Sequence, residues 1–168
     1  MSTQASDSVD QIKRQWSTER PELELLPMEL IGRMSRIYKR GSRLLEECHQ
    51  EFDLKPGEFD VLATLRRSGA PHTLTPSELF QSMMLSSGAM TNRLDKLEQK
   101  GLISRTHSHE DRRSVTVTLT DEGLALINQA VVAHLQTQAL LLSELTQDQQ
   151  QQLNQLLKNW LISLERTP

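Results

Sequence analysis

Cysteine is almost missing from this 168-residue chain, with Cys48 standing alone. A single cysteine excludes an internal disulfide framework and any multi-cysteine metal site. Aromatic residues supply only 4% of the sequence, so the core must be built from Leu, Val, Ile and Met. Long apolar runs are missing too. None exceeds four residues, as in Ala130–Ala133 and Ala139–Leu142, whereas a membrane helix needs about 20. A transmembrane span is therefore excluded. The opening Met1-Ser2-Thr3-Gln4-Ala5-Ser6-Asp7 has neither the basic nor the apolar region of a signal peptide, so the cytoplasm is the expected location. His49, His72, His107, His109 and His134 include no pair four residues apart, and no metal or other cofactor is expected. No Gly-rich phosphate loop, nucleophile elbow or paired carboxylate motif appears, so the chain does not read as an enzyme.

What is present is a charge pattern. The net charge of −3 argues against a nucleic-acid partner until it is divided along the chain. Residues 1–85 carry 11 basic and 13 acidic side chains, residues 86–119 carry 6 and 4, and residues 120–168 carry 2 and 5. Only the middle segment is net positive. A local basic element can bind phosphate on an acidic body, because the field near the site matters more than the total.

The length fits one domain of about 100–200 residues. Residues 1–27 read as an extension, with Val9, Ile12 and Trp16 at helical spacing and a linker bounded by Pro21 and Pro27. From Met28 to about Phe52, within a first dimerisation segment 28–54, Ile31, Met34, Ile37, Leu44 and Cys48 line one face of a helix. Pro56 opens a short helix that ends at Ser68-Gly69. Thr75-Pro76-Ser77-Glu78 is a capping box with proline at the first helical position. The next helix, Ala89 to Lys100, follows Ser86-Ser87-Gly88 and stops at Gly101. Residues 102–107 and 114–119 alternate as strands around a charged tip. Together 55–119 form the expected DNA-binding lobe. Residues 120–168 supply two long helices, capped at Thr120 and by the box Thr146–Gln149.

Helix–turn–helix followed by a hairpin defines a mainly α (α+β) winged helix. The flanking helices carry more apolar surface than so small a lobe can cover. The stripe Leu153, Leu156, Leu157, Trp160, Leu161 and Leu164 implies a two-fold homodimer. Such a dimer would take double-stranded DNA as its partner, at a pseudo-palindromic operator.

Motifs in this order resemble the MarR family of bacterial winged-helix transcription regulators. The resemblance is carried by Leu74–Leu79, Ser87–Glu98, Gly101–Arg105, Asp111-Arg112-Arg113 and Leu119–Gly123. It implies a regulator, expected to be a repressor released by a small anionic or phenolic molecule. The helix around Trp16, with Asp60, Arg93 and Arg105, is similar to that of a urate-responsive subgroup. There a tryptophan, an aspartate and two arginines surround the ligand. Asp60, Arg93 and Arg105 also read as a salt-bridge network of purely structural role, and Trp16 as a packing anchor.

In the recognition helix, Ser87, Thr91 and Asn92 can exchange hydrogen bonds with base edges. Ala89 and Met90 suit a thymine methyl, and Lys96 reaches phosphate. Met90 has a second reading as core and Asn92 as plain surface. Thr75 and Ser77, at the head of the preceding helix, are further expected contacts. In the wing, family likeness gives Arg113 the minor groove, where a guanidinium is favoured. It makes Asp111 the support of Arg113 and Arg112 a second contact, with His109 near phosphate. Two other functions remain: a protein-interaction dimer without operator binding, and a redox sensor acting through Cys48.

Overall fold

The computed structural model describes residues 5–83, 90–107 and 115–166. The chain falls into two compact units, Met1–Leu44 and Leu45–Pro168.

In the first unit, α1 (Ser8–Glu19) begins at Asp7, whose carboxylate accepts from Val9 N at 2.7 Å and Asp10 N at 2.9 Å. Asp10 accepts in turn from Asp7 N, completing a capping box. α2 (Leu26–Gln50) starts two residues earlier than expected, because Pro27 is accommodated in the first turn, where its missing N–H costs nothing. Charges tie the two helices together. Arg33 bonds Asp7 at 2.8 Å, Asp10 at 2.6 Å and Glu29 at 3.1 Å, and Lys13 reaches Glu29 at 2.7 Å. The Arg33 guanidinium holds the Asp7 carboxyl down at about 2. Val9, not Trp16, is the buried anchor of α1.

The second unit contains α3 (Glu58–Arg67), β1 (Thr73–Leu74), α4 (Pro76–Ser82), α5 (Met90–Gln99), β2 (Ile103–His107), β3 (Val115–Leu119), α6 (Asp121–Leu141) and α7 (Gln147–Glu165). Three strands form one antiparallel sheet in the order β1-β3-β2, with Ile103 opposite Leu119 and His107 opposite Val115. The two-residue β1 was not anticipated. It lacks the length for an alternating pattern and exists only because β3 offers it a free edge at Thr118 and Val117.

The capping boxes form as expected. Glu78 N donates to the Thr75 hydroxyl at 3.2 Å and Gln149 N to that of Thr146 at 3.3 Å. Gly101, at φ 71°, ends α5 in a Schellman motif, with Leu102 N donating to Leu97 O at 3.0 Å and Gly101 N to Glu98 O at 2.9 Å.

The core gathers apolar residues from every layer of this lobe: Leu62 and Leu65 from α3, Leu79 from α4, Leu94 and Leu97 from α5, Val117 from β3 and Ile127 from α6. This packing turns the opposite side of α5 toward solvent. α7 contributes no buried residue.

Candidate nucleic-acid interface

The helix α5, expected to be the recognition helix, is amphipathic by spacing. Leu94 and Leu97 face the core, and the exposed row opposite them is Thr91, Asn92, Lys96 and Gln99. Asn92, Lys96 and Gln99 stand at i, i+4 and i+7, so they share one stripe. Gln99 was not singled out from the sequence, although its spacing from Asn92 carried the signal. Met90 is partly buried and packs against the core. It precedes Leu94 by four residues, on the same face, in line with its core reading.

At the head of α4 the Thr75 hydroxyl is already committed. It bonds the Glu78 carboxylate at 2.9 Å as well as accepting from Glu78 N. Ser77 is exposed and uncommitted by its cap. Ser87, Ala89, His109, Asp111, Arg112 and Arg113 lie outside the described residues.

Arg105 behaves differently from expectation. Its guanidinium bonds Glu98 at 2.5 Å and 2.9 Å and Asp95 at 2.8 Å, and its backbone N donates to Glu98 at 3.1 Å. The Glu98 carboxyl is held below the usual carboxylate range by this bond. Arg105 thus straps α5 to β2 instead of joining a network with Asp60. The strap also pairs two α5 carboxylates with one cation, reducing the negative charge that this helix presents.

Asp60 and Arg93 both lie near the head of α3, close enough for the guanidinium charge to act on the carboxyl. The Arg93 guanidinium rests on the backbone of Gly57, where any Cβ would overlap it. Burial pushes the Asp60 carboxyl up, against the opposing pull of Arg93 and His134. Behind it His49, Phe59 and His134 stack, with centroids 4.1 Å and 4.6 Å from the Phe59 ring. His49 Nε2 and His134 Nδ1 share one hydrogen bond of 3.0 Å. That bond needs one of the two nitrogens unprotonated. Burial, and then the charge of His134, drop His49 to about 4, and burial also lowers His134.

These shifts set a pH dependence. The folded protein resists protonation at His49 while the unfolded chain, near 6.5, does not. Stability is therefore full above pH 6.5 and lost as pH falls toward 4, at up to about 1.4 kcal/mol per pH unit for each proton. Urea midpoints measured across this window should fall with acid, and His49→Phe should flatten the slope. An unchanged slope in that variant would show that His49 does not carry it.

A winged helix–turn–helix with an exposed polar recognition stripe defines a DNA-binding class of protein. The MarR family model matches residues 54–115. The chain is 42% identical over 149 residues to the HTH-type transcriptional regulator PecS of Dickeya dadantii, spanning 89% of this chain and 90% of PecS. It is 35% identical to the HTH-type transcriptional repressor MdtR of Bacillus subtilis, over 69% of this chain and 73% of that one. In three dimensions it resembles a mutant MarR of Escherichia coli, with a cysteine replaced by serine, in complex with operator DNA. That likeness has a TM-score of 0.67 and 29% identity, covering 93% of this chain and 99% of the other. This chain belongs to the MarR family. It is a transcription regulator and not an enzyme.

Proposed function

We propose that this regulator is a homodimeric repressor that binds a pseudo-palindromic operator and is released by a small anionic aromatic ligand. The observation that carries the DNA-binding half is the exposed row Thr91, Asn92 and Lys96 on a helix whose other face is locked into the core. A dimer is supported by the apolar residues that α7 leaves uncovered. Leu156, Leu161 and Leu164 are each more than half exposed, as are Leu30, Ile31 and Ile37 on α2. The effector half is supported by Asp60, a half-buried carboxylate that feels the charge of Arg93; Trp16 is a further proposed ligand contact on the strength of the sequence resemblance alone.

A redox reading through Cys48 has less support. Its thiol is buried, while a sensor cysteine is accessible. The cytoplasm remains the proposed location, and no helix among the described residues is long and apolar enough to cross a membrane.

The wing and the recognition helix are separable by experiment. Asn92→Ala should weaken binding to the duplex upstream of the protein's own gene by roughly 1–3 kcal/mol and relax base preference at one position of each half-site. Arg113→Ala should weaken binding while leaving dimer mass and helical content unchanged. Undiminished affinity of Arg113→Ala at matched salt would overturn the wing assignment.

A further inference from the structure

We propose that the turn Lys55–Glu58 at the head of α3 is a positioning element for the recognition helix, which it holds at both ends. This rests on reading α5 as the helix that contacts DNA.

The far end is held by Glu58. Its side chain is 1% exposed, and Oε2 accepts from Lys100 Nζ at 2.9 Å and from Lys55 N at 2.9 Å. Lys100 directly follows the last residue of α5 and is gripped a second time by Asp53, through its Oδ2 at 3.3 Å and its main-chain oxygen. The pair joins the positive head of one helix to the negative tail of the other, so both helix dipoles favour it. Near its start, α5 rests against Gly57 through Arg93. With φ at 82° Gly57 is the left-handed N-cap of α3, and its missing Cβ leaves the space that the Arg93 guanidinium fills. Two consecutive residues of one turn thus fix α5 near its start and just past its end.

Two-point attachment has a geometric consequence. A helix of ten residues is about 15 Å long, so a swing of roughly 4° about one end carries the other by about 1 Å. Base-edge hydrogen bonds do not survive displacements much larger than that. A helix pinned at one end would read its site loosely; pinned at both, it moves only as the turn moves.

Substituting Lys100 alone would leave the buried Glu58 carboxylate without its cation, so the test removes both charges together. Glu58→Gln/Lys100→Met is compared with the wild type on the duplex upstream of the protein's own gene and on a random-sequence duplex, across a salt series. The expected result is an affinity for the first duplex about tenfold lower, with random-sequence affinity and salt slope unchanged. Gly57→Ala, which leaves the buried pair in place while crowding Arg93 and straining the left-handed backbone of the turn, should repeat the loss if the double variant does not fold. Equal losses on both duplexes with a shallower salt slope would make Lys100 a phosphate contact and overturn the proposal. So would binding of the first duplex within about twofold of wild type. Asn92→Ala is measured alongside. If it leaves base preference intact, α5 is not the reading helix, and that result, independent of the turn variants, overturns the proposal at its premise.

Discussion

Replacing Leu157 and Leu161 together with aspartate is expected to make the protein monomeric and to lower its affinity for a two-half-site duplex about 100-fold or more. The physical grounds are local. Both side chains lie on the α7 stripe, 39% and 55% exposed in the single chain, and neither supports the core of its own lobe. Fully covering a leucine of this kind yields roughly 1.5–3 kcal/mol, and the stripe holds six large apolar residues in all. A buried aspartate on each copy reverses the sign of that contribution, because an unpaired charge cannot be desolvated cheaply. Helical content should be unchanged, since the substituted positions are solvent-facing in the monomer. DNA affinity falls because the second half-site is no longer delivered at high effective concentration. Light scattering of the wild type at micromolar concentration, if it gave a monomer mass, would remove the basis for this expectation.

The second large effect concerns the effector. Urate, or a related anionic aromatic, is expected to shift the protein from mostly bound to mostly free, and Arg93→Ala to blunt that response. Reversing a 99:1 population requires the ligand to prefer the released arrangement by about 5.5 kcal/mol. Two charge-assisted hydrogen bonds at about 1.5–3 kcal/mol each can approach this, less the cost of desolvation. Burial disfavours the charged form of Asp60 against the pull of Arg93, so a ligand anion that claims the Arg93 charge is expected to leave Asp60 protonated instead of standing as a second buried anion. Arg105 has two carboxylate partners of its own. Arg105→Ala should therefore weaken DNA binding by freeing α5 from β2, with little effect on the ligand. Calorimetry with urate, xanthine and salicylate at millimolar concentration checks the premise. Absence of heat for all three would leave Asp60 and Arg93 as structural residues.

Much of this molecule was legible in order along the chain. The capping boxes at Thr75 and Thr146, the stop at Gly101 and the strand alternation on either side of residues 108–114 all involve partners close in sequence. Such features are set by residue type and spacing, whatever the rest of the chain does. The amphipathic period of α5 identified the buried face through Leu94 and Leu97, and with it the exposed face that carries Asn92 and Lys96. Together these fixed a winged helix from residue order alone.

The partners of charged side chains were not legible. Arg105 carried the same expectation as Arg93, yet one bonds Glu98 and Asp95 while the other rests on Gly57. Glu58 and Lys100 stand 42 residues apart, and His49 and His134 stand 85 apart. A charge has no period, and a long side chain can reach any neighbour that folding brings within a few ångströms. Which neighbour that is depends on how α3, α5 and α6 pack, and hence on core volume and loop geometry shared over the whole lobe. The sequence determined which face of α5 is exposed; only the tertiary structure decided which distant side chains that helix is paired with.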